Sequence, residues 1–249
     1  MYRNIIFDLY GTLVDIRTDE YSVDFWRKAV QVFAMGGASF SPGELRTGYA
    51  KYVKRALRRE HLKHLSYKYI DIDLLEVFRK LYKDKGIIAE EKLLRETASR
   101  FREASTEFIR LYDGAIELLD GLRDLKKRVF LLSNAQESFT IPELEKLGIL
   151  GYFNGIMISS EEGVCKPQKQ FFEMLLDRYH LDPNDCLMIG NDKNSDMKGA
   201  ESVGIDGLYI HQDISPEVGD ESEIHAKWKI MDGDVRKILT IIQETETEE

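Results

Sequence analysis

Asp8 is the residue whose type and position most clearly predict chemistry. It follows the apolar run Asn4-Ile5-Ile6-Phe7, which has the composition of a buried strand, and a turn containing Gly11 comes next. Parallel α/β sheets place their reactive groups at the carboxyl ends of strands. A carboxylate in that place can act as a nucleophile or as a ligand of a metal ion. The start of the chain therefore predicts a reactive or metal-binding aspartate.

Three further groups of polar residues follow predicted strands or lie in the connections after them. Ser133 and Asn134 end one apolar run, Lys166 lies in a later connection, and Asp192 and Asp196 follow a third apolar run. The carboxyl ends of parallel strands meet at one edge of a sheet. We therefore expect these side chains to gather around the first aspartate.

The elements that must position these residues alternate after residue 114. We predict helices at 115–125, 142–147, 168–179, 194–203 and 235–242, and strands at 129–132, 156–158, 186–189 and 207–210. Such alternation is typical of right-handed crossovers and of a parallel sheet covered on both faces. The predicted fold class is α/β, with a doubly wound, Rossmann-like core that includes the first strand.

Residues 19–112 show apolar residues at helical spacing and no strand pattern. Ser41-Pro42-Gly43-Glu44 has the form of a capping box with proline at the first helical position. The fourth helix of this segment is predicted to run from about 89 to 112. We therefore predict a core of residues 1–14 and 113–243, an inserted all-helical cap at 15–112, and a disordered acidic tail at 244–249.

The composition restricts the classes of function. The 249 residues carry a net charge of −9, which argues against a nucleic-acid partner. No apolar run approaches the ~20 residues that cross a bilayer, and the first residues show no signal-peptide pattern. The two cysteines, Cys165 and Cys186, have no CxxC spacing. Together these features predict a cytoplasmic protein without a membrane partner.

A basic stretch lies on the second predicted helix and just beyond it. Its members are Lys51, Lys54, Arg55, Arg58, Arg59, Lys63 and Lys68. The stretch is typical of the solvent-exposed face of an amphipathic helix. The alternative is that some of these side chains meet an anionic substrate from the cap.

The four groups of polar residues, in this order and each after a strand, resemble the motifs of the haloacid dehalogenase (HAD) superfamily of hydrolases. The resemblance is to members with a helical cap of the C1 type, inserted after the first motif, and it covers nearly the whole chain. It implies that Asp8 attacks a phosphorus or carbon centre and forms a covalent intermediate that water hydrolyses. It also implies that Lys166 offers a fixed positive charge to Asp8 and to a phosphoryl group.

The resemblance implies a Mg²⁺ ion as cofactor. The ion would bridge the Asp8 carboxylate, the backbone carbonyl of Tyr10 and an acidic residue of the last motif. We expect Asp192 as an inner-sphere ligand and Asp196 in the outer sphere. Alternatively, Asn191 takes the place that we assign to Asp192. Oxygen ligands suit magnesium, and no cluster of histidine and cysteine in the sequence competes.

The substrate is expected to contact residues of the first three motifs. Hydrogen bonds to the transferring oxygens are expected from Ser133 and Asn134, which therefore also count as catalytic. The full set expected at the substrate is Gly11, Thr12, Ser133, Asn134 and Lys166. The expected substrate is a small phosphorylated metabolite, whose identity the sequence leaves open together with the oligomeric state.

Position 10 departs from the phosphatase pattern of this superfamily. Phosphatases usually carry an aspartate two residues after the nucleophile, which protonates the leaving group and then activates water; here Tyr10 stands there. A phenol with a pKa near ~10 is a poor general base at neutral pH. Tyrosine in this place is characteristic of the 2-haloacid dehalogenases, in which the departing halide needs no proton. Those enzymes, however, usually have a tyrosine six residues after the motif lysine, where this chain has Phe172.

We therefore predict a Mg²⁺-dependent hydrolase, more specifically a phosphatase that forms an aspartyl-phosphate at Asp8. The acidic pair Asp192 and Asp196 favours this interpretation, because dehalogenases need no metal. The alternatives are a metal-independent 2-haloacid dehalogenase that uses the same nucleophile, or a catalytically weak ligand-binding relative.

Overall fold

The computed structural model of the protein describes residues 1–247, and its centre is a six-stranded parallel sheet. Its strands are β1 (Asn4–Phe7), β4 (Arg128–Ser133), β5 (Gly155–Ile158), β6 (Cys186–Gly190), β7 (Asp206–Ile210) and β8 (Trp228–Ile230), and β2 (Val14–Thr18) and β3 (Thr106–Leu111) form a separate antiparallel pair. The order across the large sheet is β5-β4-β1-β6-β7-β8. The strand that ends at the first motif is thus central, between the strands that end at the second and fourth motifs.

Helices cover both faces of this sheet. The helices that follow β3 are α5 (Ala115–Asp124), α6 (Glu137–Lys146), α7 (Ser159–Glu162), α8 (Lys169–Tyr179), α9 (Lys198–Ser202) and α10 (Arg236–Thr247). Successive residues of β1 point to opposite faces, so Ile5 and Phe7 pack with α5 and α10, whereas Ile6 packs with α8 and α9. These observations confirm the predicted doubly wound α/β fold.

Four helices lie between the two strands of the antiparallel pair. They are α1 (Val23–Met35), α2 (Pro42–Lys63), α3 (Leu74–Asp84) and α4 (Glu91–Ser105), and we call them the cap helices. The predicted capping box at the start of α2 is present, with Ser41 and Glu44 bonded to each other's backbone. The cap helices bury an aromatic cluster that includes Phe25, Phe78 and Phe101, and Phe139 of α6 joins it from the core side. The division of the chain at residues 14, 112 and 243 stays a prediction.

The prediction of a single long helix at 89–112 was wrong at its end. The helix stops at Ser105, and Thr106–Leu111 forms strand β3 against β2. Thr106, Phe108 and Ile109 are β-branched or aromatic, which favours a strand once a partner strand is near. That partner lies about 90 residues earlier, and the local pattern carries no sign of it.

Helix α6 also differs from its prediction, since it begins at Glu137 and contains Pro142 in its interior. Packing of Phe139 on the cap cluster and of Leu144 on the core extends the helix beyond what the proline would favour. At the other end of the chain, α10 runs to Thr247, so residues 244–247 continue a helix where a disordered tail was predicted. Residues 248–249 lie outside the described residues.

The segment between α2 and α3 is paired with the loop that precedes Lys166. Ile70 forms an antiparallel bridge with Val164, and the backbone N–H of Cys165 donates to the carbonyl of Tyr69 at 3.3 Å. The cap helices are therefore bonded to the core beside a predicted catalytic residue as well as through β2 and β3. None of the helices in the described range has the length and apolar character that crossing a membrane requires.

Candidate active site

The ends of β1 and β6 meet around the ammonium group of Lys166. Its Nζ lies 2.6 Å from Oδ1 of Asp8 and 2.7 Å from Oδ1 of Asp196. All three side chains are buried, the lysine and Asp196 almost completely. Asp8 follows β1, Lys166 follows α7, and Asp196 lies in the turn after β6. The structure thus brings together the predicted nucleophile, lysine and second aspartate at one edge of the sheet.

With both carboxylates ionised, this cluster carries one negative charge in excess, since two carboxylates face one ammonium group. Burial raises the pKa of Asp196 well above its ordinary value; Lys166 opposes that shift, and Asp8 adds to it. Burial disfavours the charged form of Lys166, but Asp196 and Asp8 together outweigh it and raise the pKa of the lysine. Oδ1 of Asp196 is buried and accepts no well-aligned hydrogen bond from the residues that the structure describes. A further cation would balance the site.

Asn134 holds the backbone of Lys166 in place. Its Oδ1 accepts a hydrogen bond from the backbone N–H of Lys166 at 2.8 Å, and its Nδ2 donates to the carbonyl of the same residue at 3.0 Å. Both ends of the amide are therefore used, whereas we expected Asn134 to donate to substrate. Ser133 is different, because its Oγ is fully buried and has no hydrogen-bond partner within the described part of the chain.

The turn after Asp8 is shaped by Gly11 and closed by Asn191. Gly11 has a φ of +82°, and a Cβ at this position would overlap the side-chain amide of Asn191. Oγ1 of Thr12 makes a long contact of 3.4 Å to Oδ2 of Asp8. Asn191 itself donates from Nδ2 to Oγ of Ser215 at 3.2 Å. Of the two residues considered for the first acidic place, Asn191 is the one that lies against the loop of Asp8.

The carboxylate of Asp192 caps the helical turn that follows it. Its carboxylate accepts hydrogen bonds from the backbone N–H of Asn194 at 2.7 Å and from Oγ of Ser195 at 2.8 Å. Residues 193–197 form a π-helical turn, a feature common at functional sites, which returns Asp196 toward Gly190 and Lys166. Within residues 1–247 no three His, Cys, Asp or Glu side chains are placed to hold a metal ion together. The structure therefore gathers Asp8 and Asp196 without Asp192.

Tyr10 is bound to a core helix and, through it, to the cap. Its hydroxyl donates to Oε2 of Glu143 and lies 3.1 Å from Oγ1 of Thr140, both on α6. Nε of Arg102, on α4, donates to Oε1 of the same glutamate at 2.7 Å, and its guanidinium lies over the tyrosine ring. Burial raises the pKa of Tyr10, and the charge of Glu143 raises it further. The phenol therefore stays protonated and hydrogen-bonded to α6.

Glu143 and Arg102 were absent from the residues selected by sequence. One signal was available, because Glu143 follows Phe139 by four residues and precedes Leu144, which places it on the buried face of α6. A buried carboxylate requires a charged or hydrogen-bonding partner. Nothing in the spacing pointed to Arg102, which is 41 positions away in the chain.

The thiol of Cys165 is an unsuitable nucleophile although it precedes the catalytic lysine candidate. Burial raises its pKa to about 11, and the nearby carboxylate of Asp71 adds to the shift. The thiolate is therefore scarce at neutral pH. This agrees with the sequence, in which no residue marks a paired base for this cysteine.

Replacing Gly11 by alanine tests the contact between the Asp8 turn and Asn191. We expect Gly11→Ala to lose most of the activity that depends on Asp8, because the new Cβ must displace Asn191 as well as bear the strain of a positive φ. Gly86→Ala is the matched control, since Gly86 has a φ of +76° with no atom within 4 Å of the added carbon. Both variants should lose about 1–2 kcal/mol of unfolding free energy from strain, measured in urea. Equal activity in the two variants would contradict the role given to this contact.

The mostly buried ion pair between Arg102 and Glu143 should stabilise the protein far more than a neighbouring, more exposed one. Glu143→Gln leaves Arg102 without its charge partner and should lower the unfolding free energy by roughly 3 kcal/mol. Arg95 and Glu137 also join α4 to α6, at 2.9 Å, but are more exposed, so Glu137→Gln should cost below about 1 kcal/mol. A double-mutant cycle for each pair, followed by urea unfolding, measures the two coupling energies. Equal coupling energies would show that the greater burial of the Arg102–Glu143 pair adds nothing to its strength.

Comparison with known proteins identifies the family of this chain. A family model described as haloacid dehalogenase-like hydrolase matches residues 2–204. The HAD-hydrolase YfnB of Bacillus subtilis is 28% identical over 142 residues, 57% of this chain and 59% of that protein, so the match spans less than two thirds of YfnB. Glyceraldehyde 3-phosphate phosphatase of Pyrococcus abyssi is 25% identical over 212 residues, 84% of this chain and 82% of that protein.

Solved structures share the fold along nearly the whole chain. A 2-haloacid dehalogenase from Pseudomonas syringae pv. Tomato DC3000 superposes with a TM-score of 0.67 at 15% identity, covering 98% of this chain and 100% of that one. YfnB, in a crystal structure described as bound to magnesium, gives a TM-score of 0.55 at 22% identity, with coverage of 97% and 98%. Since the family model spans most of the sequence, the chain belongs to the haloacid dehalogenase-like hydrolases.

Proposed function

We propose that this hydrolase is a Mg²⁺-dependent phosphatase of small phosphorylated metabolites, with Asp8 as the nucleophile. The observation that carries the proposal is the buried cluster in which Lys166 lies within 2.7 Å of both Asp8 and Asp196. Its excess negative charge fits a divalent cation, and a cation is what allows a carboxylate to approach a phosphate dianion. A curated relative named as a phosphatase, aligned over 84% of this chain, supports the same reaction class.

The donors present fit magnesium. Mg²⁺ is usually held by one or two carboxylates, with water and substrate oxygens completing the shell. Asp8 and Asp196 provide two carboxylates on either side of the Lys166 ammonium group, and the backbone carbonyl of Tyr10 is the third oxygen that we assign. Asp192 is assigned to the helical turn instead, because two hydrogen bonds already use its carboxylate. When bound, the ion would offset the charge between nucleophile and substrate.

The residues of the chain perform the remaining tasks. A carboxylate oxygen of Asp8 forms a bond to phosphorus while the bond from phosphorus to the leaving oxygen breaks, and water then hydrolyses the aspartyl-phosphate. Lys166 holds the carboxylate of Asp8 in place and neutralises charge on the phosphoryl oxygens. Ser133, whose buried Oγ has no partner among the described residues, is the hydroxyl that we assign to a phosphoryl oxygen.

The need to protonate the leaving group limits which substrates this site can hydrolyse. Tyr10 stands where an acid would be expected, but its hydroxyl is hydrogen-bonded to Glu143 and its pKa is raised. General acid–base catalysis is typically worth about 10²–10⁴ in rate. We therefore propose substrates whose leaving group departs without a proton, such as acyl phosphates.

A 2-haloacid dehalogenase activity is the second candidate. The tyrosine at position 10 favours it, because a departing halide requires no proton. The same Asp8 would then form a carboxylic ester by displacing halide from carbon, and water would hydrolyse that ester. The third alternative is a ligand-binding relative without appreciable turnover.

Phosphate and halide release distinguish these functions. We expect the protein to release phosphate from acetyl phosphate and p-nitrophenyl phosphate with Mg²⁺, to lose this activity in EDTA, and to lose it in Asp8→Asn because the nucleophile is gone. Halide release from 2-chloropropionate in EDTA would establish the dehalogenase instead. Absence of both activities in a folded protein that still binds ligand would leave the third alternative.

Restoring an acid at position 10 should extend the range of substrates. Because a carboxylate there would face Glu143, the variant to make is Tyr10→Asp combined with Glu143→Gln. We expect kcat/KM for glycerol phosphate, which has a poor leaving group, to rise at least about tenfold over Tyr10→Asn/Glu143→Gln. Turnover of acetyl phosphate should differ little between the two double variants. Identical rates on glycerol phosphate would refute the explanation offered for position 10.

A further inference from the structure

Positive charge is concentrated in one part of this acidic protein. Residues 42–85, which include α2 and α3, contain twelve Lys and Arg against six Asp and Glu, whereas the whole chain has 35 against 44. A local excess of one sign on a protein of the opposite sign creates a potential that attracts oppositely charged ligands. The proposed hydrolytic site at the sheet edge does not account for this excess.

Part of the excess lines a groove between α2 and α3 with a volume of about 500 Å³. Arg55 and Arg59 line it from α2, one helical turn apart, and Lys80 and Lys83 line it from α3. A groove of this size is within the range that holds small molecules in proteins. The four cations therefore face one cavity from two sides.

These four side chains are not neutralised by acidic partners. No ion pair joins Arg55, Arg59, Lys80 or Lys83 to a carboxylate within the described part of the chain, although their neighbour Arg79 pairs with two glutamates. Four cations around one cavity repel each other. An anion in the groove would turn that repulsion into attraction.

The two acidic residues of the groove are already engaged. Both carboxylate oxygens of Asp84 lie 2.7 Å from the hydroxyl of Tyr52, and Glu76 is one of the partners of Arg79. Apolar surface is provided by Val77 and by the ring of Tyr52, over which the Arg55 guanidinium lies at 5.9 Å. The groove thus combines four cations that make no ion pair with a described residue, one carboxylate, that of Asp84, which keeps its charge beside the tyrosine hydroxyl, and an aromatic wall.

We propose that this groove binds a small anion with two or more adjacent phosphate groups. Arginine forms paired hydrogen bonds with phosphate oxygens, and lysine adds point charges, so two residues of each type suit a ligand with several phosphates. Even after the charge of Asp84 is subtracted, a single carboxylate or phosphate would neutralise only part of the remaining positive charge. The catalytic candidates Asp8, Lys166 and Asp196 do not line the groove, so the proposal is independent of the proposed reaction.

The test is a calorimetric titration of the protein with inorganic tripolyphosphate, in EDTA and at low ionic strength. EDTA removes the divalent cations that would chelate the probe or support its hydrolysis. We expect one tripolyphosphate per chain, with an affinity that falls as salt is added. Arg55→Gln/Lys80→Gln should weaken binding by about tenfold or more, because two charged contacts are lost.

Two control variants locate the bound probe. Lys28→Gln/Lys92→Gln removes the same amount of charge from exposed positions on α1 and α4, and Lys166→Gln alters the proposed catalytic cluster. Both should keep the affinity of the unaltered protein. No binding, equal weakening by both double variants, or loss only in Lys166→Gln would overturn the proposal. Binding of a single-stranded oligonucleotide without binding of tripolyphosphate would show a nucleic-acid surface and would overturn it too.

Discussion

A buried lysine shared by two carboxylates is the interaction on which the site depends. Lys166 can remain charged in the protein interior only because Asp8 and Asp196 outweigh the cost of burial. The central place of β1 between β4 and β6 makes this meeting possible, since the residues that follow neighbouring parallel strands reach the same edge. Asn134, at the end of β4, then fixes the backbone of the lysine. The order of the strands in the sheet is therefore required for the contacts that keep Lys166 charged.

A second constraint acts through Tyr10, two residues after the nucleophile. Its hydrogen bond to Glu143, and the bond of Glu143 to Arg102, join the Asp8 turn to α6 and to the cap helix α4. A residue that in related phosphatases is expected to handle protons is used here to connect parts of the structure. These hydrogen bonds fix the turn after Asp8 beneath the cap helices. Position 10 then provides no acid for the leaving group. The proposed restriction to leaving groups that need no proton follows from this arrangement.

The sequence was sufficient where burial and strand order decide the outcome. Asp8, Lys166 and Asp196 converge as predicted, because Asp8 and Asp196 follow strands whose places in the parallel sheet are strongly constrained, and Asn134 at the end of a third strand binds the backbone of Lys166. The sequence was insufficient where a shift of one position along the chain decides which way a side chain points. Asn191 and Asp192 are adjacent, yet one lies against Gly11 and the other caps a helical turn. The strand at Thr106–Leu111 was likewise hidden, because its partner is distant in the chain.

Charge also separates the two hydrolytic reactions proposed for this site. A divalent ion held by Asp8 and Asp196 would offset the negative charge of the cluster and would leave a positive site that a phosphate dianion could enter. A 2-haloacid brings its own carboxylate, and without a metal it would meet a cluster that repels it. A dehalogenase built on this site would need a further cation near Asp8, and the partly buried Arg102 is already paired with Glu143. The balance of charge around Lys166 therefore favours phosphoryl transfer with a metal ion over displacement of halide without one.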